Sequence, residues 1–236
     1  MPLPTDRLFQ IATRDRPVHR EPEIVLPTAP DRAIPPSERF RPNRNSGSRR
    51  ILELGSGWGE FAADWLERHP ADEYVAFEIK GDRIRRTIKH ARRLPAAHLR
   101  LVPINFSWFL EGILPERSFD LVIINFPDPW PKRRHWKHRL IQPDFPARVA
   151  PLLATGGMIH LATDYGPYAR RMLRAFRDAP EFESVFAGVD YRRARPDGMP
   201  PTRFEAMTST PEEGEGRTPY YMRWRIQSAE NAAQKS

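Results

Sequence analysis

The sequence predicts an α/β fold built on a mostly parallel β-sheet, and two patterns support this prediction. Short apolar runs alternate with amphipathic segments through five strand–helix units between Arg49 and Phe176. The side chains best suited to ligand binding come at the ends of the strands, and the carboxyl ends of parallel strands share one edge of a sheet. The alternation therefore predicts a doubly wound sheet whose ligands bind beyond that edge.

The composition limits the class of protein. The chain has 236 residues, enough for one domain with appendages, and its 38 Lys and Arg against 30 Asp and Glu give a net charge of +8. This excess favours a polyanionic partner such as a nucleic acid. Cysteine is absent, which excludes disulfides and thiolate metal sites. We find no apolar run long enough to cross a bilayer and no apolar signal region, so we expect a cytoplasmic protein without a membrane or metal partner.

Three regions differ in composition. Residues 1–48 are rich in Pro and Arg and predict a mobile N-terminal arm, which is either a basic tether that contacts RNA or a plain disordered terminus. Residues 49–226 contain the strand–helix alternation and form the folded domain. Residues 227–236 are a polar tail that we expect to fray.

The first unit is a strand, a glycine-rich turn and a helix. Arg49–Leu54 is an apolar strand, Gly55-Ser56-Gly57-Trp58-Gly59 turns the chain, and Glu60–Arg68 has the apolar spacing of a helix. Glycines allow a ligand to approach the backbone closely and tolerate φ values that a Cβ disfavours. The turn lacks the spacing of a dinucleotide fingerprint and the lysine of a phosphate loop. It therefore predicts a nucleoside cofactor without a pyrophosphate, of which S-adenosyl-L-methionine is the common one.

Polar side chains stand near the ends of the first three strands. Glu53 precedes the glycine turn, where it either meets the ammonium group of the cofactor or shapes the loop. Glu78 closes the second strand, Glu73–Ile79, where a carboxylate accepts hydrogen bonds from both ribose hydroxyls unless it is simply a solvated acid. Asn105 follows the third strand, Leu99–Ile104, and suits the edge of an adenine.

The remaining elements complete the alternation. The sequence predicts helices over Gly81–Leu94, Ser107–Leu114, Gln142–Leu153 and Tyr168–Phe176, and strands over Phe119–Ile124, Met158–Ala162 and Tyr220–Ile226, the last of them antiparallel. Thr155-Gly156-Gly157 is expected to turn the chain into the fifth strand. The outward cations of Gly81–Leu94 form either a solvated face or an RNA contact.

The stretch from Asn125 to Leu140 is the most unusual in the chain. Three of its residues, within a span of five, are prolines, which fix φ and prevent a strand or helix from continuing. The resulting stiff loop carries Asp128, then Trp130, then a dense run of cations. A carboxylate beside a flat aromatic ring, followed by phosphate-seeking charge, suits chemistry on a nucleobase. An ordinary proline turn with a solvated basic face is the alternative.

These residues resemble the bacterial tRNA (guanine-N7)-methyltransferase family, in its single-subunit form. The resemblance covers residues 49–226 and is carried by Glu53-Leu54-Gly55-Ser56-Gly57-Trp58-Gly59, Phe77-Glu78-Ile79, Asn125 through Leu140, Ala162-Thr163-Asp164 and Thr202-Arg203-Phe204-Glu205. It implies a class I S-adenosylmethionine-dependent methyltransferase fold, which is a Rossmann-like, doubly wound, mostly parallel sheet of seven strands with an antiparallel final strand. It also implies methylation of N7 of guanine 46 in the variable loop of tRNA, by a monomer or a homodimer.

The resemblance also assigns roles to individual residues. Contacts to S-adenosyl-L-methionine fall on Glu53, Gly55, Gly57, Gly59, Glu78, Asn105 and Asp128. Contacts to the substrate fall on Lys132, Asp164, Thr202, Arg203, Phe204 and Glu205. The family often carries Asp where this chain has Asn105. This difference concerns the contact with the cofactor adenine more than it concerns the activity.

The expected chemistry gives Asp128 the catalytic role. Guanine N7 already holds an in-plane lone pair, so its attack on a sulfonium methyl group needs alignment and charge stabilisation rather than a general base. Asp128 would orient the purine and stabilise its developing positive charge, with Asp164 and Glu205 on the guanine edge. We expect the neighbouring cations Arg133, Arg134, Lys137 and Arg139 to hold tRNA phosphates.

Two alternatives remain open at this point. The loop Asn125-Phe126-Pro127-Asp128-Pro129-Trp130 partly resembles the loop of methyltransferases that act on exocyclic amines of nucleic acids or proteins, although Asp128 separates the two prolines here. The chain could instead be a non-catalytic RNA-binding protein on the same scaffold, against which the acids on the cofactor side argue.

Overall fold

A computed structural model of the protein describes residues 5–14, 16, 20–21, 23–26, 47–93, 99–208 and 218–227. The strands are β1 (Arg50–Leu54), β2 (Glu73–Phe77), β3 (Leu99–Val102), β4 (Phe119–Asn125), β5 (Leu153–Thr163), β6 (Phe182–Ser184) and β7 (Tyr220–Ile226). The helices are α1 (Thr5–Ala12), α2 (Glu60–Arg68), α3 (Gly81–Ala91), α4 (Phe106–Ile113), α5 (Phe145–Val149), α6 (Gly166–Arg177) and α7 (Arg203–Thr208).

The strands form a seven-stranded sheet in the order β3-β2-β1-β4-β5-β7-β6. Strand β7 runs antiparallel to both of its neighbours, β5 and β6, whereas β1, β2 and β3 are parallel. This arrangement confirms the α/β class, the doubly wound sheet and the antiparallel final strand that the sequence predicts. The chain divides into two compact units, Met1–Phe119 (unit 1) and Asp120–Ser236 (unit 2).

Unit 1 is built around β1, β2 and β3. All five residues of β2 are buried, as expected for a parallel strand that is covered on both faces. Helix α2 buries the apolar stripe that includes Phe61, Trp65 and Leu66, and α3 buries Ile84 and Ile88. This packing leaves the carboxyl ends of the three strands to carry the loops that hold the polar residues.

The N-terminal region differs from the extended arm that the sequence predicts. Helix α1 lies within it, and Ile24 is buried and forms a parallel bridge with Leu101 of β3. Val25 N donates to Leu101 O at 2.9 Å, and Leu101 N donates to Glu23 O at 2.8 Å, so this segment extends the hydrogen bonding of an edge strand. Residues 1–4, 15, 17–19, 22 and 27–46, and the tail from residue 228, lie outside the described residues, and the domain boundary at residue 48 stays a prediction.

Unit 2 contains β5, β7 and β6 with α6 packed against them. Residues on one side of α6, including Tyr168, Met172 and Phe176, are buried. The Phe176 ring stacks on Trp224 of β7 with centroids 5.7 Å apart. His160 of β5 is fully buried. Its pKa is lowered to about 3, mainly by burial and to a smaller extent by the nearby charge of Arg223. His160 is therefore a neutral core residue rather than a titrating group.

The segment from Gln142 to Leu153 was expected to be a single helix, and this prediction is wrong. It contains the short helix α5 and a 3₁₀ turn over Ala150–Leu152, and β5 begins at Leu153 instead of Met158. Prolines in this segment remove hydrogen-bond donors that a continuous helix requires. Gly156 has a φ of 73° inside β5, so the expected turn is an irregularity within a longer strand.

None of the helices that the structure describes is long and apolar enough to span a bilayer. Among the same residues, no group of three or more His, Cys, Asp or Glu side chains is placed to hold a metal ion.

Candidate functional site

The glycine turn between β1 and α2 requires glycine for two different reasons. Gly55, Gly57 and Gly59 have φ values of 89°, 60° and 82°, a region that residues with a Cβ rarely adopt. A Cβ on Gly59 would also lie 2.4 Å from Oγ1 of Thr87 in α3, whereas nothing lies within 4 Å of a Cβ on Gly55 or Gly57. Gly59 therefore permits close packing of α2 on α3, while Gly55 and Gly57 set the path of the loop.

Glu78 holds this loop in place. Its buried carboxylate accepts hydrogen bonds from Gly57 N at 3.1 Å, Ile79 N at 2.8 Å and Lys80 N at 2.9 Å. The guanidinium of Arg83 lies 3.4 Å away. The structure thus brings the acid that follows β2 into direct contact with the glycine turn.

Glu53 is a buried carboxyl group at the end of β1. It is 2% exposed, and Tyr74 donates a hydrogen bond to it at 2.9 Å. Burial raises the pKa of Glu53 to about 7, the hydrogen bond from Tyr74 opposes this shift, and the charge of Glu78 adds to it. A carboxyl group that lacks a described cationic partner is chemically suited to receive one.

Asn105 caps helix α4. Its side-chain oxygen accepts hydrogen bonds from the backbone N of Ser107 at 3.1 Å and from the Ser107 hydroxyl at 2.6 Å. Asn and Asp are about equally good at this N-cap position, which explains why an amide can replace an acid here. The contact of Asn105 with an adenine stays a prediction.

The loop after β4 has an unusual backbone. Phe126 and Trp130 have φ values of 48° and 40°, which are rare for residues with large side chains. Phe126 N donates to Ala162 O of β5 at 2.8 Å, and this bond ties the start of the loop to the sheet. Asp128 and Trp130 lie on the exposed part of this loop. The loop is therefore a shaped support for these two side chains rather than an ordinary proline turn.

Arg139 corrects one prediction from the sequence. It was expected to hold an RNA phosphate, but it is 3% exposed. Its guanidinium donates to Pro129 O at 2.7 Å and to Trp130 O at 3.3 Å. Its Cζ also lies within 6 Å of the ring centroids of Trp136, Tyr165 and Tyr168. Arg139 therefore stabilises the loop through its backbone carbonyl groups and presents no charge to solvent.

The other cations of the run do face solvent. Lys132, Arg133, Arg134 and Lys137 are all exposed, and three of them lie on a 3₁₀ helix over Arg133–His138. None of these four forms an ion pair with a carboxylate in the described part of the chain. Trp130 packs against the imidazoles of His135 and His138, with ring centroids 5.7 and 5.4 Å apart. The accessible charge suits RNA phosphates, and that contact stays a prediction.

Thr202 and Glu205 form a capping box at the start of α7. Thr202 N donates to the Glu205 carboxylate at 2.7 Å, and Glu205 N donates to the Thr202 hydroxyl at 3.1 Å. Glu205 is 6% exposed and also accepts from Tyr221 of β7 and from Arg195 at 3.4 Å. Burial, followed by this hydrogen bond, raises the pKa of Tyr221. Both side chains thus support the scaffold, and their contact with a substrate stays a prediction.

The capping box leaves Arg203 and Phe204 accessible. Phe204 is 42% exposed, and its ring packs on that of Phe126 with centroids 4.8 Å apart. This contact brings the loop after β4 together with the segment 202–205, which lies far away in sequence. Asp164 directly follows β5 and is half-buried.

Sequence reasoning missed several supporting residues. The sequence assigned no supporting role to Phe126, Tyr221 or Arg195, and only the capping box had a local signal, since Thr-x-x-Glu is its usual pattern. The partners of Glu205 come from β7 and from the loop before α7, so no local pattern announces them.

Comparisons with known proteins agree with this geometry. Residues 48–213 match the model of a family described as "Putative methyltransferase". A tRNA (guanine-N(7)-)-methyltransferase of Leptospira interrogans is 39% identical over 172 residues, covering 73% of this chain and 76% of the relative. One of the same name from Nitrosomonas europaea is 39% identical over 155 residues, covering 66% and 68%.

A solved structure supports the fold alone. It is described as a "putative methyltransferase" from Thermoplasma acidophilum and superposes with a TM-score of 0.52 at 14% identity, covering 77% of this chain and 70% of that one. The sequence relatives are close enough, and long enough, to decide the family. The chain belongs to the tRNA (guanine-N7)-methyltransferase family.

Proposed function

We propose that this protein transfers a methyl group from S-adenosyl-L-methionine to N7 of guanine 46 in the variable loop of tRNA. Membership in the family supports the methylation of guanine N7 in tRNA, because its relatives are named for that activity, whereas position 46 comes from the resemblance of the motifs. The accessible cations and the acid on the stiff loop add support from the structure. The substrate implies a cytoplasmic enzyme, and we expect a monomer or a homodimer.

Unit 1 would hold the cofactor, and its residues fit that group. The glycine turn lets a nucleoside approach the backbone, and Glu78, which accepts a hydrogen bond from Gly57 of that turn, would accept hydrogen bonds from the ribose hydroxyls. Glu53 would receive the ammonium group of the methionine part, whose positive charge would stabilise the ionised carboxylate. Asn105 would serve the adenine edge. Bound there, S-adenosyl-L-methionine supplies a methyl group activated by a sulfonium.

Unit 2 would hold the guanine. N7 attacks the methyl carbon with its own lone pair, so the protein must align the base and stabilise its positive charge. Asp128 has the right chemistry, since a carboxylate accepts from the N1–H and N2–H₂ groups of guanine and favours a cationic purine. Its loop is preorganised by Arg139, which removes the need to order it at the moment of reaction.

The remaining contacts would come from the surface around the loop. Lys132, Arg133, Arg134 and Lys137 would bind phosphates and set the register of the RNA. Trp130 and Phe204 are exposed aromatic rings on which an extruded base can stack, because enzymes that modify bases commonly take them out of the helix. Asp164 and Arg203 are the remaining candidates for contacts with the base and its nucleotide.

The test uses an unmodified tRNA transcript and labelled cofactor, followed by digestion to nucleosides. We expect label in N7-methylguanosine that maps to position 46, and none in a matched transcript with adenosine at that position. Label in N7-methylguanosine from the second transcript would refute position 46 as the methylated site but would still support methylation of guanine N7. Label in a base methylated on an exocyclic amine would refute the N7 assignment. Tight tRNA binding with neither methyl transfer nor heat of cofactor binding would indicate a non-catalytic RNA-binding protein.

A further inference from the structure

A second cationic surface lies in unit 1, on helix α3. The helix turns Ile84, Thr87, Ile88 and Ala91 inward. A groove of about 410 Å³ runs along its other side, and we call it the α3 groove. It is lined by Arg85, Arg86, Lys89, His90 and Arg93. No carboxylate from the described part of the chain contributes to this lining, so positive charge is concentrated there.

The pairing of the arginines in this region separates two groups. Three arginines are paired with carboxylates at 3.2 to 3.7 Å, namely Arg83 with Glu78, Arg86 with Glu60, and Arg92 with Glu23. Arg85, Lys89 and Arg93 form no ion pair with a carboxylate in residues 47–93 or elsewhere in the described chain. The three cations without a carboxylate partner in the described chain therefore all line the groove. Arg86 also lines it, and it is the one lining arginine that has such a partner.

His90 provides an independent observation. Its Nε2 atom is buried and has no hydrogen-bond partner among the residues that the structure describes. Leaving a buried polar atom without a hydrogen bond is unfavourable. A phosphate oxygen in the groove would accept a hydrogen bond from this nitrogen and remove that cost. The lining of the groove thus includes a hydrogen-bonding group that has no partner among the described residues.

The helix dipole explains only part of this charge. Cations in the last turn of a helix are stabilised by its dipole, and in α3 these are Lys89 and His90. Arg85 lies earlier, and the helical rise places it about 6 Å from Lys89 along the axis on the same face. Two like charges at that spacing destabilise a helix slightly. The pair is therefore unfavourable unless an anion lies beside it.

The groove also contacts the glycine turn. The guanidinium of Arg86, which lines the groove, lies 5.6 Å from the ring centroid of Trp58, and that of Arg83 lies 5.7 Å from it. Trp58 stands between Gly57 and Gly59, so an anion in the α3 groove would sit one side chain away from the cofactor loop.

We propose that the α3 groove binds backbone phosphates of the substrate tRNA, at nucleotides other than the one that is methylated. The inference rests on the proposed function for the identity of the RNA. Unpaired cations bind a phosphate backbone with release of its counterions, and arginine and imidazole N–H groups hydrogen-bond phosphate oxygens strongly. The groove supplies affinity and orientation for the body of the tRNA and takes no part in the methyl transfer.

The test compares two double variants of the full chain. Arg85→Gln with Lys89→Gln removes two groove cations, and Arg170→Gln with Arg174→Gln removes two exposed cations at the same spacing on α6. Affinity for unmodified tRNA is measured over a series of salt concentrations. We expect the groove variant to bind severalfold more weakly and its log–log salt slope to become shallower by about 1.5, since each phosphate contact contributes about 0.7–0.9. Its KM for tRNA should rise while kcat at saturation stays unchanged.

Several results would decide the question against the proposal. An unchanged slope would overturn it, and so would equal changes in both variants, which would indicate a general effect of net charge. Arg93→Gln is a control for unfolding of α3, because Arg93 lies beyond the end of the helix. We expect this variant to reduce the salt slope by about 0.8. Exchanging Arg85 for Lys and Lys89 for Arg should preserve the wild-type slope. Methyl transfer by the wild type is scored separately, so its failure would refute the proposed function while the binding slopes still decide the groove.

Discussion

The loop after β1 and the loop after β4 reach unusual backbone conformations by opposite means. The first uses three glycines, for which positive φ values carry little strain, and a single carboxylate, Glu78, closes it. The second places Phe126 and Trp130 at positive φ, which costs of order 1–3 kcal/mol for each such residue. Surrounding structure must offset that strain, and Arg139 and the bond to Ala162 do so.

The difference matches the work that each loop is proposed to do. A glycine-rich loop lets a ligand come close to the backbone, which a cofactor site needs. A strained loop held by a buried guanidinium presents its side chains in one geometry, which alignment of a nucleobase needs. The first loop therefore leaves room at its backbone, whereas the second fixes the direction of its side chains.

The largest effect should come from removing the support of the second loop. Arg139→Met would leave the partly buried carbonyl oxygens of Pro129 and Trp130 without their donor and relax the backbone at Trp130. We expect a loss of about 4 kcal/mol in the free energy of unfolding, since each unsatisfied group costs about 1–3 kcal/mol, together with loss of methyl transfer. Chemical denaturation measures the first and the tRNA assay the second. Arg139→Lys keeps the charge but not the two-pronged geometry, and wild-type behaviour of either variant would contradict the supporting role.

Glu53, beside the first loop, should make stability depend on pH. The pKa of Glu53 rises from 4.5 to about 7 on folding, so between these values the folded protein binds a proton that the unfolded chain releases. Stability from this group is full below pH 4.5 and is lost as the pH rises to about 7, by up to about 3 kcal/mol. Glu53→Gln should abolish this loss when unfolding is followed across the window. Tyr74→Phe removes a hydrogen bond that lowers the pKa, so it should extend the window upwards, and a flat wild-type curve would contradict both.

The glycines of the first loop allow a matched comparison. Gly59→Ala adds a Cβ that would lie 2.4 Å from Thr87 in addition to its strained φ, whereas Gly57→Ala carries the φ strain alone. We expect destabilisation of about 2–3 kcal/mol for Gly59→Ala and about 1 kcal/mol for Gly57→Ala, from the strain of a left-handed residue and from overpacking. Thermal unfolding measures both. Equal losses would mean that the contact with α3 does not constrain the loop.

The smallest change in free energy should follow from a substitution that leaves both loops intact. Asp128 is exposed, so Asp128→Asn should leave the free energy of unfolding unchanged within about 0.5 kcal/mol. It should lower kcat at least tenfold, which corresponds to about 1.4 kcal/mol in the barrier, because the charge that stabilises a cationic purine is lost. Single-turnover methyl transfer with saturating tRNA is the measurement. Turnover like that of the wild type would remove Asp128 from the mechanism.

The sequence predicted best where the signal is local. Helix α2 has the bounds that its apolar spacing predicts, and β1 and β4 differ from prediction by one residue. It failed at Gln142–Leu153, where apolar residues at helical spacing compete with prolines, and it did not find β6. Strand β6 is three residues long and exists through its pairing with β7, so nothing within it reveals a strand.

For the candidate site, the sequence by itself determined the kinds of chemistry available. It contains the acids, the glycine turn and the stiff proline loop, and these follow from residue identity and spacing. Only the tertiary structure decided which polar groups serve as scaffold. The sequence predicts Arg139 at an RNA phosphate and Glu205 at the edge of a guanine, yet both are buried among partners from separate segments. Burial depends on neighbours brought together by folding, whereas glycine and proline constrain the backbone wherever they occur.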